Sequence, residues 1–281
     1  MSRYILCADD FALSPGISAA IAGLAKAGCI NAISCMTACP GWTDDAHLLD
    51  DLGVGRGLGG SPEGTPGSSV DIGLHLVLAS EQPLTRMARQ QPDGRLPSAD
   101  RIMALAYARR LDLDEISREI EAQFAAFYAA RGCPPDFVDA HQHIHVHPGI
   151  RERVIAATLR HAPQAWIRNP SDRLGSALRR PFVGKAIGSA VHALGFAATV
   201  RRAGLRTNDS FAGHYDFAGD YNALLPHFFQ APGAFHLIMC HPGDGVLEGD
   251  TIAQARLAET VAIGKMPLVD RIDLLEAHFA S

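Results

Sequence analysis

The chain is patterned as short, nearly continuous apolar runs separated by stretches with helical periodicity. RYILCA (3–8) ends at Asp9 and Asp10, and SPGISAAIAGLAKAGCI follows with Ser14 placed as an N-cap, Pro15 at the first helical position and Gly28 as a stop. NAISCMTAC predicts a second strand and DDAHLLDDL a helix. The next stretch, GVGRGLGGSPEGTPGSS (53–69), is too rich in Gly, Pro and Ser for a packed element and reads as a flexible excursion. VDIGLHLVL predicts a third strand. After an irregular segment containing PLTRMARQQPDGRLPS, a helix is expected over LDLDEISREIEAQFAAFYAARG, with Asp112 and Glu115 spaced as a capping box and Gly132 as its stop. DFVDAH, QAWIRNP and GAFHLIMCHPG predict three more strands, PGIRERVIAATLRHA a helix, and 253–264 and 268–279 the closing helices. No internal repeat is present.

Apolar strands alternating with helices predict a parallel sheet covered on both faces. In a chain of 281 residues, 47% of them hydrophobic, the expected closure is an α/β fold of the (β/α) barrel kind, as one domain over 1–281. Asp9, Asp10, His75, His141, Arg168 and His241 all fall at or just past the C-terminal ends of these strands. Barrel and open α/β enzymes place their sites there.

A formal charge of −5 supplies no basic footprint for nucleic acid. The six cysteines lack the density of a disulfide framework and the paired spacing of structural zinc, and most lie in apolar runs, which fits buried thiols in a reducing cytoplasm. MSRYILCADD meets charge too early for a signal peptide, and no apolar run reaches membrane-span length. Charge is uneven, however: Arg168 to Arg206 holds eight basic residues against the single acid Asp172. Its apolar centre, 186–200, is read as a helix packed on the barrel with solvated ends; contact with anionic lipid is the alternative.

The most specific chemistry lies in DAHQHIHVHP (139–148), where His141, His143, His145 and His147 alternate behind Asp139. On a continuous strand they would share one face, but at about 3.3 Å per residue His141 and His147 would stand roughly 20 Å apart. Imidazole–metal bonds are about 2 Å long, so most of the run cannot bind a single ion. Asp9 and Asp10 are adjacent carboxylates that a neighbouring cation would stabilise, or else a polar loop leading into a helix. His75 stands in an otherwise apolar strand, either as a ligand or as a core imidazole with a backbone partner. Together Asp10, His75 and one histidine of the run supply two nitrogens and a carboxylate with open positions, the ligand count of a catalytic centre.

ADDFALSPG, DIGLHL, DAHQHIHVHP and MCHPG, in this order, resemble the motif series of the YdjC-like carbohydrate deacetylases, a family that includes chitooligosaccharide deacetylases and enzymes of hopanoid biosynthesis. The resemblance runs from Arg3 to about Gly243. It implies a deformed β/α barrel, a homodimer, an N-acetylated sugar substrate and one divalent metal ion, zinc or magnesium. Matched by motif, the metal ligands fall on Asp10, His75 and His141, the catalytic base on Asp9 and an acid on His241. Arg168 is expected to orient Asp9, with an ordinary salt bridge as the plain alternative. Asp139 and His143 are expected just behind the ligands, Asp139 as the partner of an imidazole N–H. Two departures are visible: the usual DDFG is DDFA, with Ala12, and the triple-histidine centre is HQH, with Gln142.

Two rival readings differ in kind. An amidohydrolase-type barrel would also use an H-x-H pair, but early in the chain and with a bridging lysine at a strand end, and Lys26, Lys185 and Lys265 lie elsewhere. A non-enzymatic metal-binding protein would use the histidine run as a chelator, which leaves Asp9, Asp10 and His75 at strand ends unexplained.

Overall fold

The structure is a computed structural model that describes residues 3–50, 52 and 70–266. The Gly- and Pro-rich stretch 53–69 and the helix expected over 268–279 lie outside the described residues, as do the first two positions. Seven strands form one sheet: β1 (Arg3–Phe11), β2 (Ala32–Cys35), β3 (Asp71–Leu76), β4 (Phe137–Ala140), β5 (Trp166–Ile167), β6 (Ser210–Ala212) and β7 (Phe235–Cys240). Their order is β5-β4-β3-β2-β1-β7-β6, and every pair is parallel. The two edges approach each other. Trp166 bridges to Arg206 in parallel, the Ile167 N–H donates to Arg206 O at 2.9 Å, and Asn169 and Asn208 exchange two bonds of 2.7 Å. The sheet is thus a curled half-barrel with helices outside it, consistent with the expected deformed barrel.

The alternation of side chains explains why this curl makes a site. Residues two apart on a strand share a face, and on the inner face six of the seven strands change from apolar to polar toward the C-terminal end, β6 being the exception with Phe211 followed by Gly213. Ile5 and Cys7 lead to Asp9, Ala32 to Ser34, Gly73 to His75, Phe137 to Asp139, Trp166 to Arg168, and Leu237 and Met239 to His241. The apolar members pack as one buried cluster, with Phe137 stacked on Trp166 at 4.4 Å between centroids. Gly73 makes room for that stack, since a Cβ there would collide with the Phe137 ring. A larger cluster fills the space between sheet and helices.

Several local expectations are refined. The helix Leu113–Arg131 has Asp112 as its N-cap, accepting from the N–H groups of Asp114 and Glu115, and Gly132 ends it at φ 66. Glu115 does not close a capping box; it accepts from the Ala88 N–H at 3.0 Å instead. Four elements were not legible: the helix Ala99–Tyr107, the short helix Leu174–Ala177, the three-residue β6, and the helix Tyr221–Phe228, which contains Pro226. The largest correction concerns the histidines. β4 stops at Ala140, and His141–Val146 form a 3₁₀ turn in which Gln142 (φ 54) and His143 (φ 56) are left-handed. The four rings are therefore dispersed rather than set along one strand face.

Candidate metal centre

β1 gains an extra residue next to the site. From Ala8 to Phe11 it advances three positions while β2 advances two, Ile33 to Cys35, and Asp10 takes φ 69 within this irregularity. Bulges of this kind re-aim side chains, and here both neighbouring carboxylates enter one buried network. Asp10 Oδ1 lies 3.1 Å from His141 Nδ1 and 3.5 Å from His75 Nε2, while Asp10 Oδ2 accepts from Arg256 Nη2 at 2.8 Å. One carboxylate oxygen, one nitrogen of His75 and one of His141 all lie within 4.8 Å of one another.

Behind His75 stands its register partner on the neighbouring strand, Asp139. Asp139 Oδ1 is 2.7 Å from His75 Nδ1, and Ser34 Oγ bonds both groups, at 2.5 and 2.9 Å. A carboxylate at Nδ1 leaves Nε2 turned toward Asp10, the arrangement that orients metal-binding imidazoles. Burial would lower the His75 pKa, but Asp139, Asp9 and Asp10 outweigh it and raise the group to about 10. Burial would likewise raise Asp10, yet Arg256 and His141 hold it well below the usual carboxylate range. A concentration of buried negative charge facing two imidazoles fits a divalent cation.

Arg168 forms the second half of the network. Its Nη1 and Nη2 donate to the two oxygens of Asp9 at 2.5 and 2.6 Å, and Nη2 also lies 2.6 Å from Asp139 Oδ2. The guanidinium is fully buried, so this is no surface ion pair. It also contacts every member of another close trio, Cys7, Asp9 and Asp139, and offsets part of its charge.

His241 follows β7, its backbone N–H bonded to Glu259, which also accepts from Tyr215 Oη. Burial pushes His241 down to about 4 against the pull of Asp10 and Asp9, and pushes Glu259 up to about 7. His143 does not take the place behind a ligand that the sequence suggested. Its ring neighbours are His145, Phe211 and His214, with His214 at 5.8 Å. The left-handed turn at Gln142 and His143 explains this, because it carries His143 away from the strand direction. His145 is bonded to Arg168 O at 2.8 Å, and His147 packs against Tyr107 and His192.

Four residues of this region were missed in the sequence: Ser34, His214, Arg256 and Glu259. Arg256 and Glu259 did carry a signal, since they lie on the buried side of the helix Ala253–Gly264 together with Ala255, Ala262 and Ile263. Charged residues on an apolar helix face are rarely buried without partners.

A model of the YdjC-like protein family matches residues 3–266. The chain belongs to the YdjC-like family. It is 32% identical over 146 residues to a chitooligosaccharide deacetylase from Yersinia enterocolitica, covering 52% of this chain and 51% of that one. A chitooligosaccharide deacetylase from Proteus mirabilis is 30% identical over 142 residues, 50% and 49% of the two chains. The match thus spans about half the length of these relatives. Among solved structures, an Enterococcus faecalis V583 protein described provisionally as acting in cellobiose-phosphate cleavage superposes with a TM-score of 0.64, covering 97% of this chain and 94% of that one. At 18% identity it speaks for the fold alone.

Both departures from the family's motifs have a structural setting. Ala12, where the pattern has Gly, adopts φ 76, and its N–H donates to Ser18 Oγ at 2.9 Å. The YdjC-like loop after β1 therefore keeps a left-handed residue despite the added methyl. Gln142 is exposed and accepts from Ser80 Oγ at 3.1 Å.

Proposed function

We propose that this chain is a metal-dependent carbohydrate deacetylase that hydrolyses the N-acetyl group of an acetylated amino sugar. The observation that carries the reading is the convergence of Asp10, His75 and His141, with Asp9 and His241 in the same network. The names of the family relatives support the substrate class. A divalent cation, zinc or magnesium, held by Asp10, His75 and His141 would supply a Lewis acid for the amide carbonyl and a lowered pKa for the attacking water.

The protein's own groups complete the chemistry. Asp9 takes the proton of the attacking water. A carboxylate offers about four acceptor positions; Arg168 uses two on Asp9 and so fixes its orientation without exhausting it. The departing nitrogen needs a proton because an amine anion is a poor leaving group, and His241 delivers it. At about 4, His241 is neutral at pH 7, so the proton it delivers is the one Asp9 has taken from the attacking water, passed on to the imidazole as charge builds on the reacting amide, which leaves Asp9 ionised again. Its Nδ1, with His143 Nδ1 and His214 Nε2, is buried and has no hydrogen-bond partner. Unpartnered neutral imidazoles suit a substrate rich in hydroxyl and amide groups.

Acetate release from N-acetylglucosamine oligomers, measured on chelated protein and after adding back zinc or magnesium, tests the proposal. Release should vanish with the metal and return with it. Release that survives complete metal removal overturns the mechanism, and no release from any acetamido sugar overturns the substrate class.

A further inference from the structure

The basic segment after β5 does not pack as a single helix with only its ends in solvent. It folds as Leu174–Ala177, Val183–His192 and Phe196–Arg202, the last two bent by 44° to each other. One side is anchored: Ser189 Oγ donates to Pro170 O at 2.8 Å, Lys185 Nζ donates to Tyr215 O at 2.7 Å, and Ala186, Phe196 and Val200 are buried. The other side is uncovered. Leu174, Leu178, Ile187, Val191 and Leu194 are 74, 59, 38, 62 and 81% exposed, five of the twelve exposed large hydrophobics among the described residues. Their clustering within such a short stretch is what scattered surface apolar residues lack.

We propose that this face docks on the surface of an anionic lipid bilayer. Charge selects that occupant. Arg173, Arg179, Arg201 and Arg202 are exposed in the same stretch as the apolar residues, and no acid occurs between Arg173 and Arg206. A two-fold pairing with a second copy would set this cationic patch against itself, which is unfavourable. Exposed apolar residues interspersed with cations match the headgroup boundary of a bilayer containing acidic lipids. No single helix among the described residues is long and apolar enough to cross a membrane; the bent pair Val183–His192 and Phe196–Arg202 has the length and composition of a broken span, but its bonds to Pro170 and Tyr215 and its buried Ala186, Phe196 and Val200 tie it to the protein and favour lying along the surface. Because the segment is tied to Pro170 and Tyr215, which follow β5 and β6, the docked face lies at the same end of the sheet as the candidate metal centre.

The test is flotation of the full chain with phosphatidylcholine vesicles, with and without phosphatidylglycerol. Wild type should float with the phosphatidylglycerol vesicles only, and less as salt rises. Val191→Asp with Leu194→Asp, at positions too exposed to affect the fold, should abolish flotation while leaving the melting temperature unchanged. Arg201→Ser with Arg202→Ser should lower partitioning by about 25-fold, from roughly fivefold per cationic residue. Failure of wild type to bind the acidic vesicles overturns the proposal, as does wild-type binding by the Asp variants. Conversion of a dimer to a monomer by the Asp variants, with vesicle binding retained, overturns it in favour of a contact between copies.

Discussion

Replacing Arg168 by Met removes one buried cation that two carboxylates share. Wild-type Arg168 makes three contacts of 2.5 to 2.6 Å with Asp9 and Asp139 and is fully buried. Removing one partner of such a pair costs about 3–5 kcal/mol, because the remaining charge is left without compensation. At about 2 °C per kcal/mol for a chain of this length, the melting temperature should fall by about 6–10 °C at pH 7. The loss should also depend on pH. In wild type, burial pushes the Asp139 carboxyl up, but Arg168 and His75 outweigh it and hold the group at about 2. A depressed carboxylate contributes stability above its ordinary pKa and loses it as pH falls through the lowered value. In the Met variant burial faces less opposition, Asp139 rises, and protonation relieves the strain as pH drops from 7 toward 4. The gap between wild type and variant is then widest at neutral pH and narrows on acidification. Arg168→Lys should fall between the two, since an ammonium cannot present two parallel N–H groups. Thermal melts of the three chelated proteins across this range provide the measurement. A gap under about 1 kcal/mol, or one that does not change with pH, would refute a charge-balancing role for Arg168.

Asp9→Asn and His241→Ala should each abolish acetate release while the protein still binds one metal ion per chain, because neither supplies a ligand; metal analysis beside the activity assay separates the two effects. His145 and His236 are fully buried and held at about 4, in each case chiefly by burial, so stability should be complete above about pH 6.5 and decline as pH falls toward 4. The ceiling is about 3 kcal/mol for each ring, read from urea midpoints over that window. Ala12→Gly should raise stability by about 0.5–1 kcal/mol, because φ 76 strains a residue with a Cβ; an unchanged urea midpoint would count against it. Sedimentation velocity should show a closed homodimer, the commonest symmetric assembly, and a monomer alone at assay concentration would reject it.

The order of strands and helices was legible because apolar runs and caps are local signals, and Ser14 and Asp112 cap as their positions suggest. Asp9, Asp10, His75, His141 and His241 could be found because polar residues break apolar strands at their ends. The geometry among them could not be read. An extra residue in β1 and two left-handed residues after β4 decide which side chains meet, and neither Asp10 nor Gln142 and His143 announces a positive φ. Arg256 meets Asp10 across 246 positions of sequence, a proximity set by the direct pairing of β1 with β7, the strand that precedes the helix of Arg256.

The two-residue step from apolar to polar on the inner face of six strands gives the half-barrel a floor. Phe137, Trp166, Leu237 and their neighbours close it beneath the charged layer. Among the described residues, a group seated against that floor meets hydrocarbon below and charge above. If a deacetylase of this shape admits its substrate from the charged side, an acetyl methyl turned toward the floor would be released last, and acetate would act as a brake on turnover.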